Sequence, residues 1–131
     1  MLLNEIKEWF KKECKKAKAF EQVSIGKIDN NLDKALCFYN SKTTPPYINK
    51  LGASSYSIKA LTILMRYGKN QNDAEIMANE LYKFFDKKDT LINEKRVFFS
   101  FEIETPISLG TDDKGIIEYS FEINLYYERK V

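Results

Sequence analysis

Histidine is absent from the 131 residues. The commonest general base, the usual orienter of a Ser or Cys nucleophile and the commonest zinc ligand are therefore all missing. Glycine is scarce as well. The five glycines are isolated from one another, so the chain writes no phosphate-cradling loop and no dinucleotide fingerprint. Cysteine is limited to Cys14 and Cys37, which lack metal-type spacing and read as two free thiols of a reducing compartment. No apolar run reaches the roughly 18–20 residues that a membrane helix needs. The opening MLLNEIKEWFKKE carries acids and lacks a signal peptide's long apolar core, so the expectation is an intracellular protein without membrane contact. Net charge is only +2, too little for a global field that would draw in nucleic acid.

What remains is ordinary globular chemistry, 44% apolar and 31% charged. The length suits one domain able to bury about two-thirds of its unfolded surface. The strongest pattern lies at the C-terminal end. In RVFFSFEIE, residues Val97, Phe99, Phe101 and Ile103 fall on one side. In IIEYSFEINLYYER, Ile117, Tyr119, Phe121, Ile123, Leu125 and Tyr127 do the same. Strict alternation of this length marks half-buried strands, because successive Cβ atoms point to opposite faces. Strands are expected over about 96–104 and 116–128.

At the other end, Leu3, Ile6, Phe10, Cys14 and Ala17 recur at helical spacing beside Trp9, predicting an amphipathic helix over about 2–18. Six lysines against Glu5, Glu8 and Glu13 give that segment +3 of the total charge. Its basic arc reads as a solvated helix face or as a patch for an acidic partner. EQVSIGKI and KALCFYN, joined through Asp29, Asn30 and Asn31, predict a β-hairpin. SKTTPPYINKLGASS has no periodicity and predicts a projecting loop over about 41–54, the place for partner contacts. YSIKALTILMRYG turns apolar at both parities, as a central strand covered on both faces does, with a helix before and a helix after it. Asn72 as N-cap with Glu75 in capping-box position, then Ala74, Met77, Ala78, Leu81, Phe84 and Phe85, predict a second helix over about 72–87. The sum is an α+β domain spanning 1–131, a single mixed or antiparallel sheet packed with two main helices.

Chemistry is thin. Glu102, Glu104, Glu118 and Glu122 share the outer parity of the last two strands; some registers would set them opposite one another, which asks for cationic partners from elsewhere or for a contact between subunits. Asp112 and Asp113 in GTDDKG lack the acid spacing of a calcium loop and read as a polar turn. Phe98 and Tyr126 sit on the outer parity, where they either stack a base or cover the sheet's second face. The RNA-binding strand signature with its glycines is absent. No cofactor and no metal ligand set is expected.

Taken together, IGKIDN, SYSIKALTIL, KNQNDAEIMANELY and above all PISLGTDDKGIIEYSFEINLYYER resemble one family, over about Ile25 to Arg129. It is the family of small minor capsid or tail-terminator proteins of long-tailed bacteriophages and prophages. The resemblance implies a tail-terminator-like fold and a structural role in the virion, with assembly in the host cytoplasm. Copies of such a protein form a ring, commonly six-fold, that caps the tail tube, ends its polymerisation and meets the head connector. The partners implied are the chain itself, the tail tube protein and the connector, with no small-molecule substrate. Pro45, Pro46 and Tyr47 of the loop, and Thr111, Asp112 and Asp113 of the GTDD turn, are the expected contact residues. Another head–tail joining protein, such as a connector or stopper, shares this composition. A nucleic-acid module using the basic helix would betray itself by steep salt dependence, and an enzyme by a pocket holding strongly shifted carboxylates.

Overall fold

The computed structural model describes residues 1–41 and 56–128. Helix α1 (Leu3–Glu13) starts where the Leu2 N–H donates to the Glu5 side chain. It buries Ile6, Trp9 and Phe10. The helix stops sooner than the stripe predicts. Cys14 takes extended backbone, and a tighter 3-10 turn over Lys15–Ala19 carries the pattern on, keeping Ala17 buried. Among the described residues seven strands follow in one sheet: β1 (Gln22–Ile25), β2 (Lys34–Asn40), β3 (Tyr56–Tyr67), β4 (Asp89–Ile92), β5 (Lys95–Phe101), β6 (Ile107–Thr111) and β7 (Ile117–Glu128). Helix α2 (Gln71–Phe85) joins β3 to β4.

The strand order is β1-β2-β3-β7-β5-β4, with β6 pairing the end of β7 that β5 leaves uncovered. All pairs are antiparallel except β1 with β2. That exception corrects the expected hairpin. A hairpin would start the second strand at the turn. Here residues 26–33 run back first, beginning at Gly26, whose φ of +74° favours glycine. Ile28 is buried against Ala35 and Cys37. The Asp29 carboxylate then accepts the Asn31 N–H to close a turn, so that β2 leaves in the direction of β1. The Asn and Asp residues do make a turn; it serves a return segment instead of a two-strand corner.

Alternation sorts the sheet into two faces. Leu61, Ile63 and Met65 of β3 and Ile117, Tyr119, Phe121, Ile123 and Leu125 of β7 share a core with both helices and with Val97 and Phe99 of β5. Burial at 25 cal/mol per Å² makes this layer the chief source of stability. Phe10 stacks on Phe85 with ring centroids 5.6 Å apart, and Trp9 on Phe99 at 5.2 Å. Both helices therefore lie over one face, which corrects the expectation that one helix would cover each side of β3. On the other face, here the outer face, Ile28 and Leu32 of the return segment pack beside Leu64. The sheet curls around its helices far enough for α1 to touch β1 and β2 as well as β4, which stands at the opposite end of the strand order.

Helix α2 is capped by Asn70, not Asn72: the Asn70 side chain accepts the Asp73 N–H at 3.1 Å. It ends at Phe85, with Asp86 already extended and Lys87 at positive φ. β5 ends at Phe101 instead of reaching residue 104. Residues Ile107–Thr111, over which no strand is expected, form β6 with a bulge between Ser108 and Gly110.

Candidate assembly surface

The outer face has two ends of different character. At one end a buried arginine organises everything. Arg66, on β3, is 1% exposed and lies opposite Glu118 of β7 in the ladder. Its guanidinium donates to Asp112 at 2.7 Å and to Glu118 at 3.2 Å. It also donates to the carbonyls of Leu32 and Asn30, each at 3.3 Å. A planar five-donor fork can serve such a divergent set; an ammonium on the same stem could not reach all four. Asp112 in turn accepts the backbone N–H groups of Lys114 and Ile116 through its other oxygen, both at 2.9 Å. These hydrogen bonds, led by the one from Ile116 and joined by Arg66, hold the Asp112 carboxyl below its ordinary range. Gly115, at φ +82°, completes the turn into β7.

The expected contact residues can now be located. Thr111 is the exposed last residue of β6, and Asp113 is exposed at the tip of the turn. Asp112 points inward to Arg66 and fixes the tip instead of presenting a charge. Pro45, Pro46 and Tyr47 lie outside the described residues.

The glutamates find partners within the sheet. Glu118 meets Arg66, while the Glu122 carboxylate accepts the Thr62 hydroxyl at 2.9 Å and the Ser41 hydroxyl at 3.0 Å. Glu102 accepts the Asn124 amide, and the Glu102 N–H reaches the Glu122 carbonyl at 2.9 Å. Glu104 leaves the outer face because the strand has ended. It lies near enough to Tyr82 on the helix side to add, after burial and Asp86, to the upward shift of that phenol. The clue that sequence reasoning missed was Arg66 itself: a charge inside an apolar run, at the parity that faces the glutamates.

The far end of the outer face is open. Phe98 is 40% exposed and Tyr56 43% exposed; with Tyr126 and the Asp89–Arg96 ion pair they line a shallow cleft of about 330 Å³. Phe98 and Tyr126 are ladder partners, with ring centroids 6.4 Å apart. Among the described residues, no group of three or more Cys, Asp or Glu side chains is placed to hold a metal ion, and no helix is long and apolar enough to cross a membrane. Both cysteines are free thiols and buried. A surface of short strand edges, an exposed turn and an aromatic cleft is suited to contacts with other proteins.

Comparison with known proteins follows the same line. The family model described as bacteriophage tail terminator protein matches residues 4–129. One solved structure aligns over 100% of this chain and 97% of its own, with 20% identity and a TM-score of 0.52, a likeness of fold. No curated protein matches the chain.

Proposed function

The chain belongs to the bacteriophage tail terminator family, and from that premise we propose that copies of it close the tail tube as a ring. It is a structural protein of the phage tail, and so of the virion. The proposal adds the action. The ring, six-fold as the resemblance implies, is set on the last tier of tube protein, ends polymerisation there and offers its other side to the head connector. The observation that carries this reading is the family match over nearly the whole chain. A closed ring needs two different patches on each subunit, and the molecule has distinct edges and faces to supply them. In this reading Pro45, Pro46 and Tyr47, with Thr111 and Asp113, make subunit or tube contacts, and Asp112 holds the turn in position for them.

The test is electron microscopy of a phage lysate made without this gene. Abnormally long tails detached from filled heads are expected. Tails of normal length beside leaking or empty heads would transfer the protein to the head side of the joint, as a connector or stopper. Intact infectious particles would sink both readings.

A further inference from the structure

Two groups of charged side chains stand on different parts of the fold. One group sits where α1, the 3-10 turn and β1 come together. Lys11, Lys15, Lys16 and Lys18 are exposed there and make no ion pair among the described residues. Lys11 and Lys18 line a shallow cleft with Val23, and Ile25 at the end of β1 is 38% exposed. Glu21 also lines that cleft; it accepts the Lys34 N–H and sets one carboxylate beside these lysines. The second group lies on the outer face. Among the described residues, Glu102 and Glu122 are held by an amide and by hydroxyls and meet no cation, so these contacts orient their charge without neutralising it. Glu128 stands opposite Tyr56 at the other side of the aromatic cleft. The cleft's own cation, Arg96, is paired with Asp89.

Among the described residues, the first patch thus joins exposed apolar surface to an excess of lysines and the second to carboxylates that meet no cation, so their balances are opposite. A helix dipole accounts for lysines in the last turn of α1, but not for those of the 3-10 turn. It also says nothing of carboxylates flanking an apolar cleft on a different face. We propose that the lysine-bearing end of one copy seats on the glutamate-flanked aromatic cleft of the next. Ile25 and Val23 meet Phe98, Tyr126 and Tyr56, and the lysines meet Glu102, Glu122 and Glu128. The inference rests on the ring reading and specifies its subunit joint: two unlike patches of one chain, repeated head to tail.

Charge reversal tests it. Lys15→Glu, Lys16→Glu and Lys18→Glu together alter only exposed side chains. Glu102→Lys with Glu128→Lys alters the facing patch. Assembly is read as mass by light scattering, with and without purified tail tube protein. Unfolding curves check that each variant is folded. Either set should raise the protomer concentration needed for half-assembly about tenfold or more, and the two sets combined should restore it. Wild-type assembly should also weaken between about 0.1 M and about 1 M salt, as the screening length falls from about 10 to about 3 Å. Wild-type rings that persist in both folded variants and at high salt would overturn this joint while leaving the ring intact. A wild-type protein that stays monomeric even with tube protein would overturn the joint together with the ring reading.

Discussion

The two faces of the sheet are built from alternate residues of the same strands, yet they are stabilised by different physics. On the helix side, β7 presents Tyr119, Phe121, Ile123 and Leu125 to a continuous apolar layer in which neighbouring side chains are interchangeable in kind. On the outer side the same strand presents Glu118, Glu122 and Asn124, each tied to specific partners: Arg66, the Thr62 and Ser41 hydroxyls, and Glu102 respectively. Burial is non-directional and tolerates exchange of shape at similar volume. A buried ion network is directional: its members need one another, and removing one leaves the others unsatisfied. One face therefore supplies cohesion, while the other determines where the β6–β7 turn and the return segment sit.

Substitutions can set these faces against each other. Phe99→Ala on the helix side should lower unfolding free energy by about 3–5 kcal/mol, through lost transfer and an unfilled cavity. Arg66→Ala on the outer side should cost a comparable amount, about 3–5 kcal/mol, through stranded carboxylates and carbonyls. Chemical denaturation measures both. Hydrogen exchange separates them, since only the arginine change should expose the amides of Lys114 and Ile116 ahead of the rest. Equal loss of protection everywhere in both variants would erase the distinction between the faces.

Acid should act on the outer side through Asp112. The Asp112 carboxyl titrates lower in the folded chain than its ordinary value of 3.8. The unfolded chain thus takes up this proton at the higher pH, and the stability that Asp112 contributes is full above about pH 4 and lost as pH falls through its folded value. The acid limb of a stability–pH curve should be shallower in Asp112→Asn than in wild type; parallel limbs would mean that the carboxylate does not carry this dependence. The smallest effect is expected where the outer face is open. Phe98→Ser should change stability by no more than about 0.5 kcal/mol. It should nevertheless weaken assembly, because its ring lies in the exposed cleft.

Legibility followed the same division. The helix face is written in periodicity, so the buried parities of β7 and of β5 as far as Phe101, and the stripes of both helices, could be read directly; Ile103, expected on the same side, lies past the end of β5 and is exposed. The return segment between β1 and β2 could not. Asp29, Asn30 and Asn31 announce a turn but not whether the chain pairs at once or packs Ile28 first, a choice made by a contact with Ala35 and Cys37 that has no periodic signature. Asn70 and Asn72 are equally good caps by type; the backbone leaving Gly68 selects the earlier one. Of the contact surface, the turn at Asp112 was legible as a turn. Its inward-pointing carboxylate was not, because that depends on an arginine 46 residues away. The need of the outer glutamates for partners was visible in the strand pattern, and Arg66 answers it for Glu118 alone.

The packing of α1 has a further consequence, in time instead of space. Helix α1 finds its ring partners at Phe38, Phe84, Phe85 and Phe99, all synthesised after it. Most of its cover therefore comes from the later half of the chain. Until Phe99 has emerged, Trp9 and Phe10 cannot be fully sheltered, and such long-range closure is slow by nature. The nascent protein carries an apolar stripe edged with lysines through much of its own synthesis, a period in which chaperone binding, or premature pairing with a neighbouring copy, competes with folding.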